Sequence, residues 1–162
     1  MPRCVGDLRP DVMGPAERMD ALLAGRQPDR VPFILVGAGY CVRNVGYPIE
    51  AAYTDARKCV QAQLWTAEQF GCEPNTGAGY AAYGAYEFGG QIRMPTSQWE
   101  TAPCVVRPPA EREEDLDDLH LPDVKSAGLI PHLMRISRLQ EELDLPISCA
   151  VSGDPATNAA NM

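Results

Sequence analysis

Short apolar runs that each leave into a glycine-bearing turn constrain this chain more than any other feature. Residues 31–36 (VPFILV) lead into Gly37-Ala38-Gly39, and residues 72–76 (CEPNT), a second short strand of weak composition rather than an apolar run, lead into Gly77-Ala78-Gly79. Residues 146–151 (PISCAV) lead into Ser152-Gly153-Asp154. A short run without polar alternation suits a strand buried on both faces, as in a parallel sheet. Helix-patterned segments lie between the runs. Strands that alternate with helices need crossover connections, so the expected fold class is α/β. In such folds ligands bind in the loops after the C-terminal ends of the strands. All three glycine turns fall there.

The helical segments have recognisable ends. A helix over 15–24 is expected, with Pro15 in its first turn, Met19, Leu22 and Leu23 facing inward, and Gly25 as its cap. Pro28-Asp29-Arg30 reads as a turn, and residues 40–53 read as irregular. Thr54 or Asp55 caps a helix that runs to Phe70, with Ala56, Val60, Leu64 and Ala67 on one face and Gly71 at its end. Residues 91–94 and 104–107 read as a hairpin whose loop holds Trp99, stopped by Pro108-Pro109. A last helix over 127–143 carries the stripe Leu129, Leu133, Ile136, Leu139 and Leu143. Residues 1–14 show no periodicity and read as a loose lead.

Composition removes several functions. The 162 residues suit one domain, and a formal charge of −8 with no basic cluster argues against nucleic acid or an anionic membrane as partner. No apolar stretch approaches the ~18 residues of a membrane span, and no secretory signal opens the chain, so a cytoplasmic location is expected. The six cysteines include no CxxC and read as reduced thiols, mostly small buried side chains. The acidic run 111–118 reads as a solvated turn or helix start. His120 and His132, the only histidines, read as surface or helix-edge residues, and no His or Cys pair has metal-ligand spacing. Residues 77–82 fit G-x-G-x-x-A, but no strong strand precedes them and no strand ending in an acid follows, so a flexible loop is preferred to a dinucleotide-binding module. The third run and the residues after it read as a strand and the start of a helix, which makes the chain the N-terminal part of something larger.

The ordered set of segments resembles a known family. Glu17-Arg18, Leu22-Leu23-Ala24-Gly25-Arg26 and Pro28-Asp29-Arg30-Val31-Pro32 are similar to the start of the uroporphyrinogen decarboxylase superfamily. The likeness continues through Tyr53-Thr54-Asp55, Phe70-Gly71, Phe88-Gly89-Gly90, Pro108-Pro109, residues 119–123 (LHLPD) and Ser152-Gly153-Asp154-Pro155-Ala156-Thr157. It is greatest to the corrinoid-dependent methyltransferase branch. The resemblance implies a TIM (β/α)8 barrel with its site at the C-terminal mouth, a fold of ~250 residues. Residues 15–162 would supply the first three βα units and a hairpin. The mouth residues would be Gly37, Gly39, Tyr40, Asn75, Tyr80, Gly153 and Asp154, with Tyr40 and Tyr80 packing on a flat corrin or a methyl donor.

The branch also implies zinc, held by a His-x-Cys and a later Cys in the second half of the barrel, so no zinc ligand is assigned in this chain. Zinc there turns a thiol into a thiolate that accepts a methyl group from methylcobalamin. A corrinoid or other small-molecule substrate, a separate corrinoid protein and a second copy of the chain are the implied partners. Decarboxylases carry arginine in a Gln-Ala-Gly-Arg stretch after the first strand. Here Gly37-Ala38-Gly39-Tyr40 has none before Arg43, and no acid stands near Gly79 or Tyr80, where the decarboxylases place an aspartate. The expected function is therefore corrinoid-linked methyl transfer to a thiol or similar acceptor. Uroporphyrinogen decarboxylation and a truncated product without activity are the alternatives. As an isolated piece the chain is expected to be inactive, poorly soluble or molten.

Overall fold

Asp55 starts the helix on which the rest of the fold hangs. Its carboxylate accepts the Lys58 amide at 3.1 Å, and Gly71, in the left-handed conformation (φ 62°), closes the far end. The computed structural model describes residues 11–145 except 78, 81 and 98. Five helices lie among them: α1 (Pro15–Leu23), α2 (Ala38–Asn44), α3 (Ala51–Thr54), α4 (Ala56–Phe70) and α5 (Ile130–Glu142). A hairpin pairs β1 (Gln91–Arg93) with β2 (Cys104–Arg107), antiparallel, with Ile92 opposite Val105.

Helix α4 buries Cys59, Val60, Ala62, Thr66 and Ala67. These side chains are small, so α2, α3 and α5 all pack directly on it. The irregular segment expected over 40–53 is instead α2 and α3. Helices this short are marginal alone. They hold because Cys41, Val42, Ala51, Ala52 and Tyr53 are buried in the cluster around α4.

Helix α5 starts later than expected. Gly128, at φ +51°, turns the chain before it, and Ser126 and Ala127 bond back to Asp123. Leu129 and Ile136 are buried, Leu133 and Leu139 pack on the core, and Leu143 is exposed past the packed part. Trp99 is exposed on the hairpin loop. The acidic run forms a 3-10 helix (Glu113–Asp118) with no buried residue, as its solvated composition implies.

The first two runs lie parallel but meet in one bridge, Ile34 with Glu73. Val31 and Val36 are each 82% exposed, so burial on both faces is not met among the described residues. Pairing on one side only leaves the other open. The third run, the 152–154 turn, Cys4 and Cys149 lie outside the described residues. Cys41, Cys59 and Cys72 are buried free thiols and Cys104 is an exposed one. No helix among the described residues is long and apolar enough to cross a membrane.

The inner face of α1 also differs from expectation. Leu22 and Leu23 are exposed, and Arg18 and Ala21 are the buried pair. The Arg18 guanidinium reaches Asp29 Oδ1 at 2.7 Å, Glu73 Oε1 at 2.5 Å and the Met13 carbonyl at 2.6 Å. Glu73 also accepts the Phe33 amide and bonds Arg30. Arg18 beside Asp29 holds that carboxyl far below the usual range. Burial pushes Glu73 up, but the Phe33 amide, Arg18 and Arg30 outweigh it and the net shift is downward. This buried network ties α1, the Pro28-Asp29-Arg30 turn and both runs together, and so fixes the turns that follow the runs.

Candidate functional site

A cavity of about 560 Å³ opens between the two described glycine turns. The first turn and the start of α2 give Val36, Gly37, Ala38, Gly39 and Tyr40 to its wall; the second gives Asn75, Gly77, Gly79 and Tyr80. Gly37, Gly39, Tyr40, Asn75 and Tyr80, all named from sequence, thus border one space. Gly153 and Asp154 lie outside the described residues. Tyr53 and Thr101 complete the wall and were not legible as lining residues. Tyr53 had one signal, its place before the Asp55 cap; Thr101 had none.

Close packing shapes the cavity. A Cβ on Gly39 would stand 2.5 Å from the Thr101 carbonyl oxygen and 3.3 Å from Ile49 Cγ2. Only glycine lets α2 approach the hairpin loop this closely. The same carbonyl accepts the Tyr53 hydroxyl at 3.0 Å. Burial, with Cys59 nearby, pushes the Tyr53 phenol up to about 12. Tyr53 and Tyr80 meet edge to face, with centroids 6.3 Å apart and planes at 71°. Tyr40 leans on Phe70 at 6.5 Å and is half exposed at the lip.

Behind Tyr80 sits Glu87, 7% exposed. It accepts the Tyr80 hydroxyl, the Gly84 amide at 2.8 Å and the Leu129 amide at 3.1 Å. Burial first, and the bond to Glu87 second, drive the Tyr80 phenol strongly up, so Tyr80 keeps its proton. Glu87 does have a sequence signal: it is the only charged residue between Glu73 and Arg93.

The histidine expectation needs correction. His132 is buried, not at the surface, and its Nε2 lies 2.9 Å from the Ala52 carbonyl oxygen. That bond fastens α5 to α3. Burial lowers its basicity. His120 borders a separate hollow whose Arg107 and Arg112 are already paired with Glu111 and Asp115. The G-x-G-x-x-A tract gives Gly77 and Gly79 to the cavity but follows a single bridge rather than a strand. Glu100, the acid about 20 residues on from the tract, accepts the Thr96 and Ser97 amides inside its own loop.

The described residues do not fit a metal centre. No group of three or more His, Cys, Asp or Glu side chains among them could hold an ion. Burial raises the Cys41 thiol and takes the Cys59 thiol to about 12, which opposes the thiolate that zinc requires. The described cavity wall carries no charged side chain. Its chemistry is that of a binding surface: three tyrosine rings, and glycine backbone that a flat ligand can approach.

No curated protein and no solved structure matches the chain. The family model described as uroporphyrinogen decarboxylase (URO-D) matches residues 14–162. That span takes in the buried Arg18 network, the cavity and both of its turns, and on it the chain belongs to the uroporphyrinogen decarboxylase (URO-D) family.

Proposed function

We propose that the chain forms the opening part of a corrinoid-linked methyltransferase of this superfamily, built as the first βα units of a (β/α)8 barrel, rather than a uroporphyrinogen decarboxylase. One observation carries the reading: no cationic side chain lines the described cavity. Uroporphyrinogen presents a ring of carboxylates. A site for it needs cations, and paired guanidinium groups are the strongest choice. Arg43, the first arginine after the first turn, borders a different hollow beside Tyr47 and Pro48. The carboxylate of Glu87, one side chain behind the wall, would repel an anion.

In this reading the rings of Tyr40, Tyr53 and Tyr80 and the backbone of the glycine turns bind and orient the ligand. The resemblance to the family names Gly153 and Asp154 as well, and they lie outside the described residues. Methylcobalamin is the methyl donor, a thiol or similar nucleophile the acceptor, and a separate corrinoid protein the partner. Zinc is the metal of that branch, and because the described residues do not fit it, no step is assigned to it.

The test is an assay of the polypeptide from the full reading frame that contains these codons. It is expected to release no CO2 from uroporphyrinogen and to take the methyl group from methylcobalamin when a thiol is supplied. Release of CO2 at an ordinary enzymatic rate, about 1 per second or faster, would overturn the proposal.

A further inference from the structure

A chain with 22 acidic and 14 basic residues has carboxylates to spare. Arg18, Arg30, Lys58, Arg93, Arg107 and Arg112 each pair with one. Arg57, Arg135 and Arg138 do not. They line one hollow of about 360 Å³ between the start of α4 and α5, and none of their side chains makes an ion pair or hydrogen bond among the described residues. The hollow shares no lining residue with the cavity between the glycine turns.

Acids line the same hollow without neutralising these arginines. Asp55 gives its carboxylate to Lys58, the amide at 3.1 Å and Nζ at 3.4 Å. Glu142 follows Arg138 by four positions, the spacing at which helix charges meet, yet the two do not pair. Arg57 stands in the first turn of α4, which holds no acid, and there a cation meets the positive end of the helix. All three arginines are exposed, so water sustains the cluster and every guanidinium donor stays open to a ligand. Charge and shape then select the anion. Three arginines against Glu142 leave an excess of two positive charges once the Asp55–Lys58 pair is set aside. A carboxylate brings one negative charge and two oxygens. A phosphate monoester brings about two charges at pH 7 and three strong acceptor oxygens, one for each guanidinium fork. The phosphodiesters of nucleic acid and the surface of an anionic membrane are opposed by the overall charge of −8.

We infer that the hollow between α4 and α5 binds the phosphate monoester group of a small molecule, held by Arg57, Arg135 and Arg138. Its volume falls at the low end of the ~300–1,000 Å³ of small-molecule sites, and Ala56 and Leu139 give it an apolar wall for a short carbon skeleton. The inference stands apart from the methyl-transfer reading, and neither depends on the other.

Calorimetric titration of glycerol 2-phosphate, acetate and glycerol into the chain tests this, at about pH 7.5, above the second phosphate pKa of about 6. Glycerol 2-phosphate is expected to bind with a Kd of about 1 mM or tighter, acetate about tenfold more weakly or worse, and glycerol without measurable heat. Arg57→Gln, Arg135→Gln and Arg138→Gln are each expected to weaken the phosphate ester about tenfold. Their side chains are exposed and unbonded, so the variants keep the fold. Arg26→Gln removes another exposed, unpaired cation, one that does not line the hollow, and is expected to leave the affinity unchanged. Glu142→Gln is expected to tighten binding. No saturable binding of glycerol 2-phosphate, acetate bound as tightly, an affinity unchanged in all three hollow variants, or the same loss in Arg26→Gln as in them would overturn the inference.

Discussion

Replacing Arg18 with leucine is expected to remove most of the folded protein. Leucine fills the site but takes the guanidinium away from Asp29, 13% exposed, and leaves Glu73, 3% exposed, with Arg30 as its remaining cation. Removing one partner of a buried ion pair is among the most destabilising single changes, because the charge left behind loses a partner where water cannot replace it. Protease-resistant soluble protein is expected to fall about tenfold or more. Arg18→Lys should land between, because one ammonium cannot reach Asp29, Glu73 and the Met13 carbonyl with the geometry of a planar fork. Native-level protease resistance in Arg18→Leu would mean that the network does not hold the two runs in place. Acid should mimic the leucine variant. Asp29 and Glu73 have lowered folded pKa values, so their contribution is present above the unfolded carboxyl pKa and is lost as pH falls through the folded one.

Gly39→Ala is expected to damage the cavity while Gly37→Ala, two residues away, does not. The added methyl at position 39 would stand 2.5 Å from the Thr101 carbonyl oxygen, a backbone atom that cannot swing aside. Either α2 or the hairpin loop must move, at a cost of about 1–3 kcal/mol. The Tyr53 hydroxyl then loses its acceptor as well. At position 37 the nearest neighbour is Tyr40 Cβ at 3.6 Å, an ordinary contact. That change should cost about 1 kcal/mol or less, chiefly as a weaker helix cap. Urea unfolding followed by fluorescence measures both. A Gly39→Ala variant as stable as Gly37→Ala would contradict the close approach on which the cavity depends.

What could be read from the sequence follows from the range of each interaction. Helix α4 was legible because its signals are local: the Asp55 cap, Gly71 and the stripe of Ala56, Val60 and Ala67. The β1–β2 hairpin and the solvated acidic run were legible for the same reason. Helices α2 and α3 were not, because each is too short for a periodic signal, Pro48 stands between them, and their stability comes from burial against α4. Arg18 was missed as an inward residue because Glu73, which makes its burial affordable, lies 55 positions away. His132 was missed likewise, with its acceptor on Ala52 80 positions away. At the site, five of the seven residues that the family resemblance named, Gly37, Gly39, Tyr40, Asn75 and Tyr80, border the cavity. Tyr53, Thr101 and Glu87 reach the cavity or its wall through contacts that no local pattern encodes.

The tyrosines themselves offer the most direct test of the cavity as the site of a methyl-transfer ligand. The chain has six tyrosines, so a sample labelled with 13C at the tyrosine ring gives six resonances that single Tyr→Phe variants assign. Added methylcobalamin is expected to shift the signals of Tyr40, Tyr53 and Tyr80 and leave Tyr47, which lies outside the cavity, unchanged. Uroporphyrin, with its ring of carboxylates, is expected to leave all six where they were. Shifts of Tyr40, Tyr53 and Tyr80 by uroporphyrin and none by methylcobalamin would contradict the account.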